Sequence, residues 1–330
     1  MSVTKEDYLC LSAMLRAREN RMLSDDRAER MVEAESIEDA ARLLTECGYP
    51  DFSGMDAAGI DSALSEYRSG LFNETERLSP EADYVDAFRI RYDYHNAKAV
   101  IKAGAMDTDP AHLLNASGRF PPARLLEDIN EEKMSYYPPV FAEAVLNAKA
   151  ELAKTGNPQV SDFVLDRAYF TELSKLAEQK GNPFFTGYVK LLIDAADLKS
   201  AVRTLRMGKG ALFLENALIP GGSIDVSRIL AAKDADEVAS FYAQGPLSEA
   251  AALASEAVSG KGMTAFEKAC DNAVNTYLKK AKFVSYGPET VVAYLAAVEN
   301  EITAARMIMT AKLSKINAGV IKERLRELYA

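Results

Sequence analysis

The 330-residue sequence contains no tryptophan, two histidines and three cysteines, and each scarcity removes a class of chemistry. His95 and His112 belong neither to an HExxH segment nor to the paired ExxH segments of a carboxylate di-metal bundle, so metal sites of those kinds are excluded. Cys10, Cys47 and Cys270 are widely separated, odd in number and without zinc spacing, which argues against a disulfide framework and for a reducing compartment, by default the cytoplasm. Long apolar runs are missing too. The longest, Val291 to Val298, is far short of a membrane span, and the opening MSVTKEDYLCLSAMLRAREN lacks the apolar stretch of a signal peptide, so the chain reads as soluble or peripheral. Positive charge is outweighed: 39 Lys and Arg face 49 Asp and Glu, giving a net charge of −10 and a pI of about 5.0. A global field of that sign disfavours nucleic acid and anionic lipid, so no nucleic-acid partner is expected and any membrane attachment runs through a protein.

Cofactor motifs are equally scarce. Gly208-Lys209 and Gly260-Lys261 are each followed by Gly instead of Ser or Thr and lack the earlier Gly of a phosphate-cradling loop. Gly260-Lys-Gly-Met-Thr-Ala265 matches GxGxxA formally, but it follows an alanine-rich helical stretch where a dinucleotide fold needs a strand. No cofactor and no metal is expected. Runs with strand alternation are few, and Tyr136 to Phe141 (YYPPVF) reads as a linker because consecutive prolines cannot support a central strand. With 48% apolar and 27% charged residues the chain can bury ample core, and the fold class expected is all-α.

What is present is a helix written three times at a spacing of about a hundred residues: AFRIRYDYHNAKAVIKA (Ala87 to Ala103), YVKLLIDAADLKSAVRTL (Tyr188 to Leu205) and VVAYLAAVENEITAARMIM (Val291 to Met309). Each copy has a proline upstream, at Pro80, Pro183 and Pro288. Each is followed by a glycine-bearing turn, at Gly118, Gly221-Gly222 and Gly319, before another helix. In the first copy Ile90, Tyr94, Ala97 and Ile101 form one apolar stripe, and in the second Leu191, Ala195, Leu198 and Val202 do so. The third copy follows Val291, Leu295, Val298, Ile302, Ala305 and Met309, with Glu301 where the first repeat has Ala97.

Polar residues recur beside the stripe. Asp93 and Asn96 flank one side of it, Lys98 and Lys102 the other. Their counterparts are Asp194, Asp197, Lys199 and Arg203 in the second copy and Asn300 and Arg306 in the third. Two readings stay open for these ten residues: contacts to a partner, or solvated flanks and structural ion pairs between helices. None is expected to be catalytic.

The segments Tyr92-Asp-Tyr-His-Asn96-Ala-Lys98, Ile193-Asp194 to Lys199 with Arg203, the turn Leu218-Ile-Pro-Gly-Gly222, and Tyr294 to Glu301-Ile to Arg306-Met-Ile with Lys312 together resemble the C subunit of bacterial and archaeal V/A-type ATPases (V-type ATP synthases), a family that includes the d subunit of the eukaryotic V-ATPase. The opening helix Ser12-Ala-Met-Leu-Arg16-Ala-Arg18-Glu19 extends the resemblance over essentially the whole chain. Asp197 departs from it, standing where the family usually has Asn, as does Phe120-Pro-Pro122 after Gly118. The resemblance implies a funnel of three pseudo-threefold helical lobes, divided at residues 1–125, 126–230 and 231–330, with the N- and C-terminal helices free to pack together. It further implies a non-catalytic rotor subunit, one copy per complex, on the cytoplasmic face of the membrane, docked on the proteolipid rotor ring and receiving the central stalk. A helical-repeat scaffold for another protein partner is the alternative, and an all-α enzyme a weaker one.

Overall fold

The computed structural model describes residues 3–330, and among them there is no strand. Along the chain come α1 (Leu9–Glu19), α2 (Asp25–Glu33), α3 (Ile37–Glu46), α4 (Ala57–Leu78), α5 (Asp83–Met106), α6 (Pro122–Asn130), α7 (Pro139–Thr155), α8 (Pro158–Lys180) and α9 (Pro183–Arg206). They are followed by α10 (Ala211–Ala217), α11 (Val226–Ala231), α12 (Ala235–Tyr242), α13 (Ser248–Ala252), α14 (Ala254–Val258), α15 (Met263–Leu278), α16 (Pro288–Leu313) and α17 (Ala318–Arg324). The three repeated segments are α5, α9 and α16, and every residue of the three apolar stripes named above is buried.

Local chemistry sets the boundaries. The tripeptide Gly-Asn-Pro occurs at 156–158 and again at 181–183, and each time it closes one helix and opens the next. Gly156 (φ 65°) and Gly181 (φ 61°) take the left-handed cap conformation that L side chains resist, Asn157 and Asn182 accept first-turn amides, and Pro158 and Pro183 occupy the first helical position, where no amide is needed. Pro288 opens α16 in the same way, whereas Pro80 lies just ahead of α5.

Two details differ from the sequence expectation. YYPPVF is not a linker throughout: Pro139 is the first residue of a seventeen-residue helix, because a proline without an amide costs nothing at that position. Gly319 lies inside the first turn of α17, where its amide donates to the Asn317 side chain (2.8 Å); the turn after α16 instead runs through Lys315, at φ 53°.

The chain folds as two compact units. One comprises the residues up to Val85 together with Gly262–Ala330. Its centre is α16, packed by α4, α1, α2, α3, α15 and α17. Val291, Leu295, Val298 and Ile302 are all at most 1% exposed, and burial of such side chains contributes about 1.5–3 kcal/mol each. Deep in this core Ser12 and Thr290 share a hydrogen bond of 2.8 Å.

The other unit is Asp86–Lys261 and has two central helices. The stripe of α5 joins Leu125 and Ile129 of α6, Phe141, Val145 and Ala148 of α7, and Leu165 of α8 in one core cluster. Helix α9 packs on α8, α10, α12 and α14.

Candidate functional site

The recurring Asp and Asn residues turn out to face their own chain. In α5, Asp93 Oδ1 accepts the Arg119 amide at 2.9 Å and Asp93 Oδ2 accepts Arg119 Nε at 2.6 Å. One turn on, Asn96 pairs with the backbone of Asn115 twice: Nδ2 donates to its carbonyl and Oδ1 accepts its amide, both at 2.8 Å. In α9 the arrangement recurs. Asp194 Oδ1 accepts the Ser223 amide at 2.7 Å, and Asp197 Oδ1 accepts the Ile219 amide at 2.8 Å. The two amides held are four residues apart in both turns, so each i, i+3 pair clips a turn of the same length against its helix.

The glycines of these turns are required by proximity. A Cβ on Gly118 would lie 2.4 Å from Asp93 Oδ1, and one on Gly222 would lie 2.4 Å from Asp194 Oδ1. Each carboxylate therefore reaches its amide only past a residue without a side chain.

Burial dominates the electrostatics. Asp93 is fully buried, and desolvation pushes its pKa up to about 6 against the opposing pull of Arg119. Asp194 is shifted upward by burial as well, and burial raises Asp197 to about 7 with the neighbouring Asp194 charge adding to it. Arg119 also donates to Glu172 of α8 at 2.7 Å, and Glu172 in turn accepts the Tyr94 hydroxyl at 3.0 Å, so the first clip is tied to α8. Arg119 was not singled out by sequence reasoning; the signal available was a cation directly after the turn glycine.

The basic flank of α5 pairs with α8. Lys98 meets Asp166 at 2.5 Å and Lys102 meets Asp162 at 2.6 Å. The lysines ascend as the aspartates descend, as antiparallel helices require. In the second repeat Lys199 is half-buried and Arg203 exposed. In α16, Asn300 donates to the Asn275 side chain of α15, and Arg306 pairs with Asp61 of α4 at 2.6 Å. The nearest equivalent of a clip here is Glu301, which accepts the Leu23 amide at 2.7 Å and is pushed up to about 7 by burial.

Thus Asp93, Asn96, Asp194 and Asp197 are buried against turns of their own chain, while Lys98, Lys102 and Arg306 bridge helices. An open pocket of about 540 Å³ in the first unit is lined by Arg16, Glu19, Asn20, Arg27, Lys282 and Tyr329. Arg16 there binds the Glu19 carboxylate and the Ala281 and Val284 carbonyls, so its guanidinium is spent on holding backbone. Among the described residues no group of His, Cys, Asp and Glu side chains could hold a metal ion, and no helix is long and apolar enough to cross a membrane.

The geometry defines an all-helical protein of internal repeats in which Asp93, Asn96, Asp194 and Asp197 bind backbone amides of the turns that follow their helices. The chain belongs to the ATP synthase (C/AC39) subunit family, whose model matches residues 11–324. It is 24% identical over 327 residues to the C subunit of the V-type sodium ATPase of Enterococcus hirae, spanning 98% of this chain and 99% of that one. The C subunit of the A-type ATP synthase of Methanocaldococcus jannaschii is 22% identical over 352 residues, with 98% and 88% covered. Its counterpart in the V-type ATP synthase of Thermus thermophilus is 24% identical over 210 residues, 60% of this chain and 63% of that one.

Proposed function

We propose that this chain is a non-catalytic rotor subunit of a V/A-type ATPase, docked on the proteolipid ring at the cytoplasmic face of the membrane and coupling that ring to the central stalk. The observation that carries the proposal is the match along residues 11–324 to a family of ATP synthase subunits, with relatives that bear the C-subunit name in bacteria and an archaeon. One copy per complex, with three lobes arranged as a funnel, belongs to the same proposal. A part that transmits torque must resist deformation. Close-packed helices do so, and the buried clips that pin the loops after α5 and α9 remove two places where such a body would give.

Affinity capture of the tagged protein from gently solubilised host membranes, with mass spectrometry of what accompanies it, tests this reading. Recovery of proteolipid and central-stalk subunits is the expected result. Recovery of the chain alone, or with unrelated proteins from the soluble fraction, overturns it in favour of a helical scaffold for another partner.

A further inference from the structure

Asn96 and Asp197 hold the same place in the two clips, and only one of them completes its pairing. Asn96 both donates to the Asn115 carbonyl and accepts the Asn115 amide. Asp197 accepts the Ile219 amide on Oδ1, but its Oδ2 is buried without a hydrogen-bond partner, in a side chain only 1% exposed. An ionised carboxylate can only accept hydrogen bonds, so it cannot make the donation that the Asn96 amide makes; a protonated carboxyl can. A buried ionised oxygen left without a donor is also costly, and neutralisation is the usual escape.

We propose that Asp197 is a proton-binding site: in the clamped turn its Oδ2 carries a proton and donates to the Ile219 carbonyl, reproducing the two-bond pairing of Asn96 with Asn115.

The surroundings support it. Asp194, one helical turn back, penalises a second negative charge. Arg167 of α8 favours ionisation, but its guanidinium is engaged with the carbonyls of Glu215, Asn216 and Leu218 at 2.7, 3.3 and 3.3 Å. The covering turn, Leu218 to Ile224, brings amides and no ionisable side chain. Burial holds the carboxyl at about 7, so the site is half-occupied near neutrality. At this position of the clip the consequence is confined to the second repeat, because Asn96 cannot titrate. Opening the turn exposes Asp197 and returns it to an ordinary carboxyl, which releases the proton. The stability of the clamped turn therefore falls as pH rises from the ordinary Asp range towards 7 and levels off above it.

The test uses the full chain and two readouts, carboxyl carbon NMR of the aspartates and amide hydrogen exchange at Ile219 and Ser223, each followed across pH in the wild type and in Asp197→Asn. The expected result is an aspartate resonance titrating near 7 that is missing from the variant. Ile219 protection, corrected for intrinsic exchange, should fall about tenfold more per pH unit below that midpoint in the wild type than in Asp197→Asn, as release of one further proton on opening demands. The slope left in the variant belongs to Asp194, which clips the same turn and is shifted upward by burial as well, and equal slopes in the two proteins overturn the proposal. An Asp197 resonance titrating near 4, the ordinary value, overturns the proposal. So does an Asp197→Asn chain that is less protected at neutral pH or fails to fold, since a neutral donor-bearing side chain is what the site is argued to need. Glu301, also shifted to about 7, is distinguished because its titration persists in the variant.

Discussion

Replacing Gly118 by alanine isolates the first clip in a single methyl group. The φ of Gly118 lies outside the left-handed region, so alanine suffers no backbone penalty there. Its Cβ would stand 2.4 Å from Asp93 Oδ1, well inside contact distance. The carboxylate must retreat by roughly half an ångström or more, and it is fully buried and bound to Arg119 through bonds of 2.6 and 2.9 Å. Overpacking of a close-fitted interior costs about 1–3 kcal/mol, and weakening a hydrogen bond to a charged group adds about 1 kcal/mol, so a loss of about 2–4 kcal/mol is expected. For a cooperative unit of this size that corresponds to a drop in Tm of roughly 5–15 °C. Urea and thermal unfolding followed by circular dichroism measure it. Gly104 provides the internal control: it lies within α5 with nothing within 4 Å of an added methyl, and alanine there should stabilise by about 0.5–1 kcal/mol through helix propensity alone. A Gly118→Ala protein within about 0.5 kcal/mol of wild type, or one that moves in the same direction as Gly104→Ala, would refute the clip.

Arg119→Ala leaves Asp93 buried without its cation, which costs about 3–5 kcal/mol at alkaline pH. Asp93 is raised to about 6 even beside Arg119, and removing that cation raises it further, so the loss shrinks as pH falls, and a loss independent of pH in urea titrations would count against this account. Glu301→Gln keeps an acceptor for the Leu23 amide and removes the titration. With the folded pKa raised to about 7 from 4.5, the wild-type contribution is fully present below about 4.5 and is lost as pH rises to 7. The variant's advantage in stability should therefore be nil in acid and reach up to about 3 kcal/mol at pH 8, and an equal advantage at both pH values in urea unfolding would exclude the shift.

The central helices were legible because a buried stripe has a period: Ile90, Tyr94, Ala97 and Ile101 repeat as helix geometry demands, and each is buried. The recurrence of Asp93 with Asn96 and of Asp194 with Asp197 was equally visible. Their targets were not, because a backbone amide has no signature in sequence, and the held residues, Asn115 and Arg119 against Ile219 and Ser223, share no side-chain chemistry. The glycine directly before the second held amide, Gly118 and Gly222, was the readable trace. Glu301 gave least warning, since its partner Leu23 is 278 residues away and only the folded chain brings the two together. The double proline at 138–139 misled because the same residue that ends a strand also opens a helix.

The unit built around α16 also sets an order of events on the ribosome. Helices α1 to α4 leave the exit tunnel before residues 86–261, yet the helix that fills the space among them is made only after those residues. Residues 86–261 hold a complete core of their own and can collapse during translation, while the leading segment waits with its apolar faces unsatisfied until Val291 to Met309 arrives. Truncated or stalled chains of this protein therefore carry a ready-made exposed apolar surface at their N-terminal end, the feature that chaperones and proteases recognise.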